Sequence, residues 1–336
     1  MTDILPLSRR GLLSHAGLAV TGLAAAATIG LPAAATAAGP ASKPPVPRAQ
    51  VPGVYRIPVG DSVITAIADG YGTLPLAAVT GATRPEADAL GRAAFVPPGD
   101  LPIDFNAYLI ETPKRRILVD TGGGTALGAG AGKLNRNLAA AGIDPKSIDV
   151  LLITHLHLDH IGGMLTAAGA PAFPNAELLV HAKERAYWTD DAMRTRAPAD
   201  FRGAFDAARA ALNAYARRTT LLERDGQEVV SGVTIMELPG HTPGHVGVRV
   251  ASGARQHLIW GDIIHVPHLQ FAQPAWGVVF DVDGALAVKT RKAMLDMAAA
   301  DGLDVSGMHL VFPGPGHVVR SGNAYAFAPA RWQYDI

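Results

Sequence analysis

Three imidazoles and a carboxylate fall within six residues, His155-Leu156-His157-Leu158-Asp159-His160. The apolar run over 149–154 reads as a short strand that ends at this cluster. Alternation at the strand exit places His155 and His157 on one side, while Asp159 and His160 follow at the turn and point to a neighbouring position. Four nitrogen and oxygen donors in so short a span suit a pair of cations a few ångströms apart. A lone histidine would read as a packed or solvated residue; this density reads as metal binding.

Each zinc takes three or more protein groups, so further ligands are needed. Four candidates lie at strand ends, where loops gather functional groups. His241 sits in Leu238-Pro239-Gly240-His241-Thr242-Pro243-Gly244-His245 and Asp262 in Trp260-Gly261-Asp262. His309 follows Gly307-Met308, and His317 closes Gly314-Pro315-Gly316-His317. The last two compete for one place. Asp120, in Asp120-Thr121-Gly122, is suited to stand behind the ligands, because a buried carboxylate accepts the second ring N–H of a ligating imidazole and fixes its tautomer. The donors call for two divalent cations, zinc by default, though manganese, cobalt and iron tolerate the same set. The chain has no cysteine, which removes thiolate from the list.

Short strands positioning these loops are expected at 54–59 and 63–69 (turning at Gly60-Asp61), 107–111, 116–120, 149–154, 177–181, 234–238, 245–250 and 257–261, with a last one ending near Phe312. Residues 70–100 are Pro/Gly-rich and read as an irregular surface segment. Helices are expected around Leu134, Leu138 and Ala141, over 199–218 with Phe201 and Phe205 on its apolar face, and over 286–300. Strands followed by helix, given twice, predict an α/β fold of two packed sheets with helices outside, a four-layer αβ/βα sandwich.

Lys+Arg and Asp+Glu both number 29, and this zero net charge speaks for a small-molecule substrate and against nucleic acid. At the N-terminus, Ser8-Arg9-Arg10-Gly11-Leu12-Leu13 precedes a weakly apolar Ala-rich run, and Ala35-Thr36-Ala37 offers a small-x-small cleavage site. Residues 1–38 therefore read as a twin-arginine export signal, 39–52 as a Pro/Ala-rich linker and 53–336 as the domain that carries the metal-binding cluster. That organisation implies a periplasmic or secreted protein with no stable membrane insertion once the signal is removed.

From about residue 54 onward, the chain resembles the metallo-β-lactamase superfamily, through the His-x-His-x-Asp-His loop. The resemblance implies one metal on His155, His157 and His241, and a second on Asp159, His160 and a last histidine, with Asp262 bridging. Within the superfamily it is most similar to the methyl parathion hydrolase group, beside the acyl-homoserine lactone lactonases. Phe105-Asn106-Ala107-Tyr108-Leu109, Leu138-Ala139-Ala140-Ala141-Gly142, Ala172-Phe173-Pro174-Asn175 and His309-Leu310-Val311-Phe312-Pro313-Gly314 carry that similarity. It selects His309 as the terminal ligand and leaves His317 behind the site or at its rim. Family lactonases often carry a Tyr three residues past the bridging Asp, where this chain has His265. The aromatic pocket of the methyl parathion hydrolase group is matched at Trp188 but not at Leu127, which stands where a Phe is found. Phe201 and Phe205 are further pocket candidates.

The chemistry implied is hydrolysis. Two cations flanking a water give hydroxide at neutral pH, which attacks a lactone or ester carbonyl and, with a good leaving group, a phosphotriester. Asp262 and Asp159 carry the catalytic roles, the first holding the metal pair and the second relaying a proton to the leaving group. Efficient organophosphate hydrolysis as the main activity is one alternative, and a non-catalytic periplasmic zinc-binding scaffold another. The bridging aspartate and missing cysteine disfavour β-lactam hydrolysis. Only 27 residues follow His309, too few for the helical domain of glyoxalase II relatives. A homodimer using the 70–100 segment is implied by the resemblance.

Overall fold

The computed structural model describes residues 50–336; the stretch 1–38 read above as an export signal, and most of the 39–52 stretch read as a linker, lie outside the described residues. The first sheet is built from β1 (Val54–Val59), β2 (Ser62–Leu74), β4 (Leu101–Glu111), β5 (Arg116–Val119), β6 (Val150–Ile153), β7 (Glu177–His181) and β8 (Thr219–Leu222), in the order β1-β2-β4-β5-β6-β7-β8. A two-residue strand, β3 (Val79–Thr80), pairs instead with β13 (Gly277–Val278). The second sheet comprises β9 (Glu228–Val230), β10 (Val233–Glu237), β11 (Val246–Ser252), β12 (Arg255–Ile259), β14 (Val305–Ser306), β15 (Gly316–Ser321) and β16 (Ala324–Pro329). It runs β16-β15-β14-β12-β11-β10-β9.

Alternation along the strands divides the core into layers. Ile117 and Val119 face the second sheet and meet Ile235, Val248 and Ile259 there. Leu118, between them, faces outward with Leu151 and Leu178, under α2 (Leu134–Ala140) and α6 (Arg202–Ala214), which contribute Leu138, Phe205 and Leu212. On the far side, Leu258, Trp260 and Val305 pack beneath α8 (Gly284–Asp301) through Met294, Leu295 and Ala298. The four-layer sandwich is the architecture observed. Strands β5 to β8 pair in parallel, and β6 is covered on both faces, which is why Val150-Leu151-Leu152-Ile153 is apolar throughout.

Several local expectations need correction. The 70–100 segment is ordered: β2 continues to Leu74 past a register shift near Asp69, and α1 spans Arg84–Ala93. Pro85 stands in its first turn, and Thr83 Oγ1 donates to the side chain of Glu86 (Oε2) at 2.6 Å, not to a backbone group. The 199–218 helix is three pieces, with single 3₁₀ turns at 199–201 and 216–218 flanking α6. Helices over Ala182–Thr189 and Asp191–Arg196 were not foreseen. The strand expected to end near Phe312 is only the two residues of β14, and the β15–β16 hairpin follows. Among the described residues no helix is long and apolar enough to cross a membrane.

Candidate metal centre

All seven residues proposed as ligands leave the ends of strands or the loops that follow them, and they meet at one edge of the sandwich. His155 Nε2 and His241 Nε2 each lie 2.9 Å from His157 Nδ1. A proton can bridge one such pair at a time; a tetrahedral cation engages all three nitrogens. Beside them, His309 Nε2 lies 2.9 Å from Asp262 Oδ2 and 3.4 Å from Asp159 Oδ2, and His160 Nε2 lies 3.3 Å from each carboxylate. The donor atoms within each of the two groups are all within 4.8 Å of one another. Asp262 Oδ2 is also 3.6 Å from His155 Nε2 and 3.4 Å from His241 Nε2, so one oxygen stands between both groups. His160 Nε2 and Asp262 Oδ1 are buried without hydrogen-bond partners, an arrangement that costs stability unless a cation is bound. This donor set fits a pair of zinc-like ions. Asp159, 21% exposed in its side chain, is the member that faces solvent.

Contacts behind the cluster fix its geometry. Asp120 adopts a left-handed backbone (φ 61°), which an Asp tolerates better than most residues. Its carboxylate accepts from Thr154 N at 2.8 Å and Thr154 Oγ1 at 2.7 Å, and lies 2.7 Å from His160 Nδ1. Asp281 does the same for His241, with Oδ1 2.7 Å from Nδ1. His309 Nδ1 is held by the Asp104 carbonyl at 2.8 Å. Its loop is tied to β4 by Asn106 Nδ2, which donates to Leu310 O, and Tyr108 Oη, which donates to Gly307 O. His245 Nδ1 donates to Leu238 O, leaving Nε2 to accept from Asp262 N at 2.9 Å. Gly261 makes this possible: at φ 59°, a Cβ there would come within 2.3 Å of His245 Nε2. Glu184 is fully buried and accepts from Leu156 N, Gly244 N and Trp188 Nε1, at 3.1, 2.9 and 2.7 Å. It thereby ties the His155–His160 loop to the loop carrying His241.

Charge is distributed unevenly over the metal-free cluster. Burial alone would lower every imidazole pKa. It prevails at His155 and His157, which are held well below the ordinary value, with neighbouring imidazoles adding to the effect. At His241 burial is overcome by Asp262 and Asp281, and the pKa rises to about 9. His160 and His309 are also raised against burial, chiefly by the charge of Asp262, with Asp159 assisting. Burial opposes ionisation of Asp262 too, but His160, His309 and His155 outweigh it and hold its carboxyl well below the usual range. Protonation of these three imidazoles is thus favoured where cations would sit.

The structure brings His155, His157, Asp159, His160, His241, Asp262 and His309 together and sets Asp120 behind His160. His317 is not part of the assembly. It lies on β15, 3.1 Å from Leu303 O and 3.2 Å from Asp304 Oδ1, so neither a supporting nor a rim position fits. Phe205 is a core residue, fully buried against Trp188 and Tyr187. Trp188 is also fully buried, its ring meeting the His157 edge at 5.4 Å. Phe201 is partly buried and touches His157 at 5.9 Å, while Leu127 packs with Phe105, whose ring meets His309 at 5.8 Å. His265 is completely buried beside the cluster, Nε2 3.2 Å from Asp262 Oδ2, with both ring nitrogens lacking a hydrogen-bond partner. Sequence reasoning missed Glu184, His245, Asp281 and Phe280, whose ring faces His157, His241 and His265. Only His245 had a signal, in its place within the Gly240–His245 loop.

A family model described as the metallo-beta-lactamase superfamily matches residues 104–309. Among solved structures, the hydrolase AbOPH of the beta lactamase superfamily superposes with a TM-score of 0.80 at 27% identity, covering 85% of this chain and all of that one. The dizinc quorum-quenching lactonase AidC, solved with a product bound, shares the fold with a TM-score of 0.79 at 24% identity, covering 84% of this chain and 99% of its own. An atrochrysone carboxyl ACP thioesterase from Passalora fulva is 44% identical over 59 residues, a segment spanning 18% of this chain and 16% of the thioesterase.

Proposed function

The chain belongs to the metallo-beta-lactamase superfamily, and from that premise we propose that it is a dinuclear metal hydrolase of lactones or other carboxylic esters, with phosphotriesters as accessory substrates. The observation that carries the reading is the position of Asp262 Oδ2, within 3.6 Å of ring nitrogens from both ligand groups. When bound, two divalent cations at these groups lower the pKa of a shared water and polarise the scissile carbonyl or phosphoryl oxygen. The chain's own contribution is placement. Asp262 would hold the pair together, His155, His157 and His241 one ion, and Asp159, His160 and His309 the other. Asp159, open to solvent, is placed to carry a proton towards a leaving group. Phe280, Phe201 and Phe105 border the ligand histidines and offer apolar contact for a substrate's organic part.

The carbonyl substrate is the reading put forward, and the dizinc lactonase AidC, which shares the fold, is a relative that acts on such a group. Steady-state kcat/KM of zinc-loaded protein on acyl-homoserine lactones, simple γ- and δ-lactones, aryl esters and dialkyl aryl phosphates tests the reading. Lactones or aryl esters should rank above the phosphates. The reverse order would make organophosphate hydrolysis the main activity, and no turnover with two zinc ions bound would favour a metal-binding scaffold. Export by the twin-arginine route, to the periplasm or beyond, belongs to the same proposal and rests on Arg9-Arg10 and the Ala-rich run behind them.

A further inference from the structure

Behind His241 stands a buried ion pair that the hydrolytic reading does not use. Asp281, 1% exposed in its side chain, accepts from Val278 N through Oδ2 and faces His241 through Oδ1. Its other charged partner is Arg291 of α8, itself 2% exposed, whose Nη2 is 3.9 Å from Asp281 Oδ2. A buried guanidinium must have its donors satisfied. Here Nε donates to Ile263 O at 2.7 Å and Nη1 to Trp276 O at 2.9 Å. Ile263 is the residue after Asp262, and Trp276 opens the segment that delivers Phe280 and Asp281. One side chain therefore spans the metal-bridging loop and the loop that orients His241. The equivalent carboxylate behind the other group, Asp120, has no such brace: it is held by Thr154 and His160, and among the described residues no Lys or Arg is ion-paired with it.

We infer that Arg291 is a positioning residue for the His155–His157–His241 metal site, acting through Asp281, and that the Asp159–His160–His309 site does not depend on it. A planar fork at fixed reach sets where Asp281 stands, and Asp281 sets the ring plane and tautomer of His241. The inference rests on the metal-binding reading above.

Cadmium-113 NMR of the full protein, with competing chelator, tests it without recourse to activity. Wild-type protein should show two resonances, one for the nitrogen-rich three-histidine environment and one for the oxygen-richer environment that includes Asp159. Arg291→Met should weaken the three-histidine site about 10- to 100-fold and the other less than about 3-fold. Asp281→Asn should reproduce this, and the double variant should add little to either single one. Arg291→Lys keeps the charge but cannot span both carbonyls, so it should show the same selective loss even if the Met variant fails to fold. Equal weakening of both sites, or no weakening in a folded variant, would overturn the inference while leaving the metal centre standing. Wild-type protein that takes up no cadmium would overturn the metal centre, and the inference with it.

Discussion

Glu184 should be worth more to this protein than any single group outside the ligand set. Its Oε2 accepts from Leu156 N and Trp188 Nε1 and its Oε1 from Gly244 N, all buried. Truncation in Glu184→Ala strands three donors, at about 1–3 kcal/mol each when no acceptor replaces the lost one. Water entering the space left by the carboxylate would recover part of this, so a net loss near the lower bound, about 3 kcal/mol, is expected. For a domain of this size that corresponds to a fall in Tm of roughly 5 °C. Glu184→Gln retains an oxygen for the pair at Oε2 but turns an amide N–H₂ towards Gly244 N, so about 1–2 kcal/mol should go. Differential scanning calorimetry of metal-free protein separates the two cases, since no metal contribution intervenes. Because Glu184 joins the His155–His160 loop to the His241 loop, the Ala variant should also bind zinc more weakly in a chelator competition. An Ala variant that melts within about 2 °C of wild type and keeps its zinc affinity would refute the view that this carboxylate ties the loops together.

Two more predictions follow from the geometry around the ligands. His160, His241 and His309 have raised pKa values in the metal-free cluster and must lose their protons to ligate, so protons compete with metal. Zinc affinity should therefore rise with pH through neutrality towards about 9, the value for His241. Calorimetry in buffers of different ionisation enthalpy should find about one to three protons released at pH 7.5; binding that releases none would contradict the assignment. Gly261→Ala would force a left-handed alanine and drive its Cβ into His245 Nε2. That change should cost more than about 1 kcal/mol in urea unfolding and loosen metal binding, and a variant as stable as wild type would show that the His245–Asp262 contact carries no weight.

The ligand residues were legible because they are dense in type and sit just after apolar stretches: Val150–Ile153 leads to His155, and Leu258-Ile259-Trp260 leads to Asp262. The layered architecture was legible for a related reason, since strands covered on both faces must be apolar throughout. What could not be read depends on contacts distant in sequence. Asp281 meets His241 from 40 residues away and Glu184 meets Gly244 from 60, and neither lies in a patterned stretch. Phe205 illustrates the converse, because an aromatic on a helix face has the same spacing whether it lines a pocket or fills a core. His317 looked equivalent to His309, each following a glycine-containing turn. Their separation comes from β14 ending at Ser306, which delivers His309 to the cluster, while His317 lies on the next strand and is carried towards Leu303 and Asp304. Helix α1 was missed because prolines and glycines on either side outweighed the start signature Thr83-Arg84-Pro85-Glu86.

The central claim is a pair of cations joined by one aspartate, and anomalous scattering at the zinc edge from crystals of zinc-loaded protein tests it most directly. Two peaks about 3.5–4 Å apart are predicted, one against His155, His157 and His241, the other against Asp159, His160 and His309, with Asp262 reaching both. A single peak, or two peaks with Asp262 on only one of them, would contradict it.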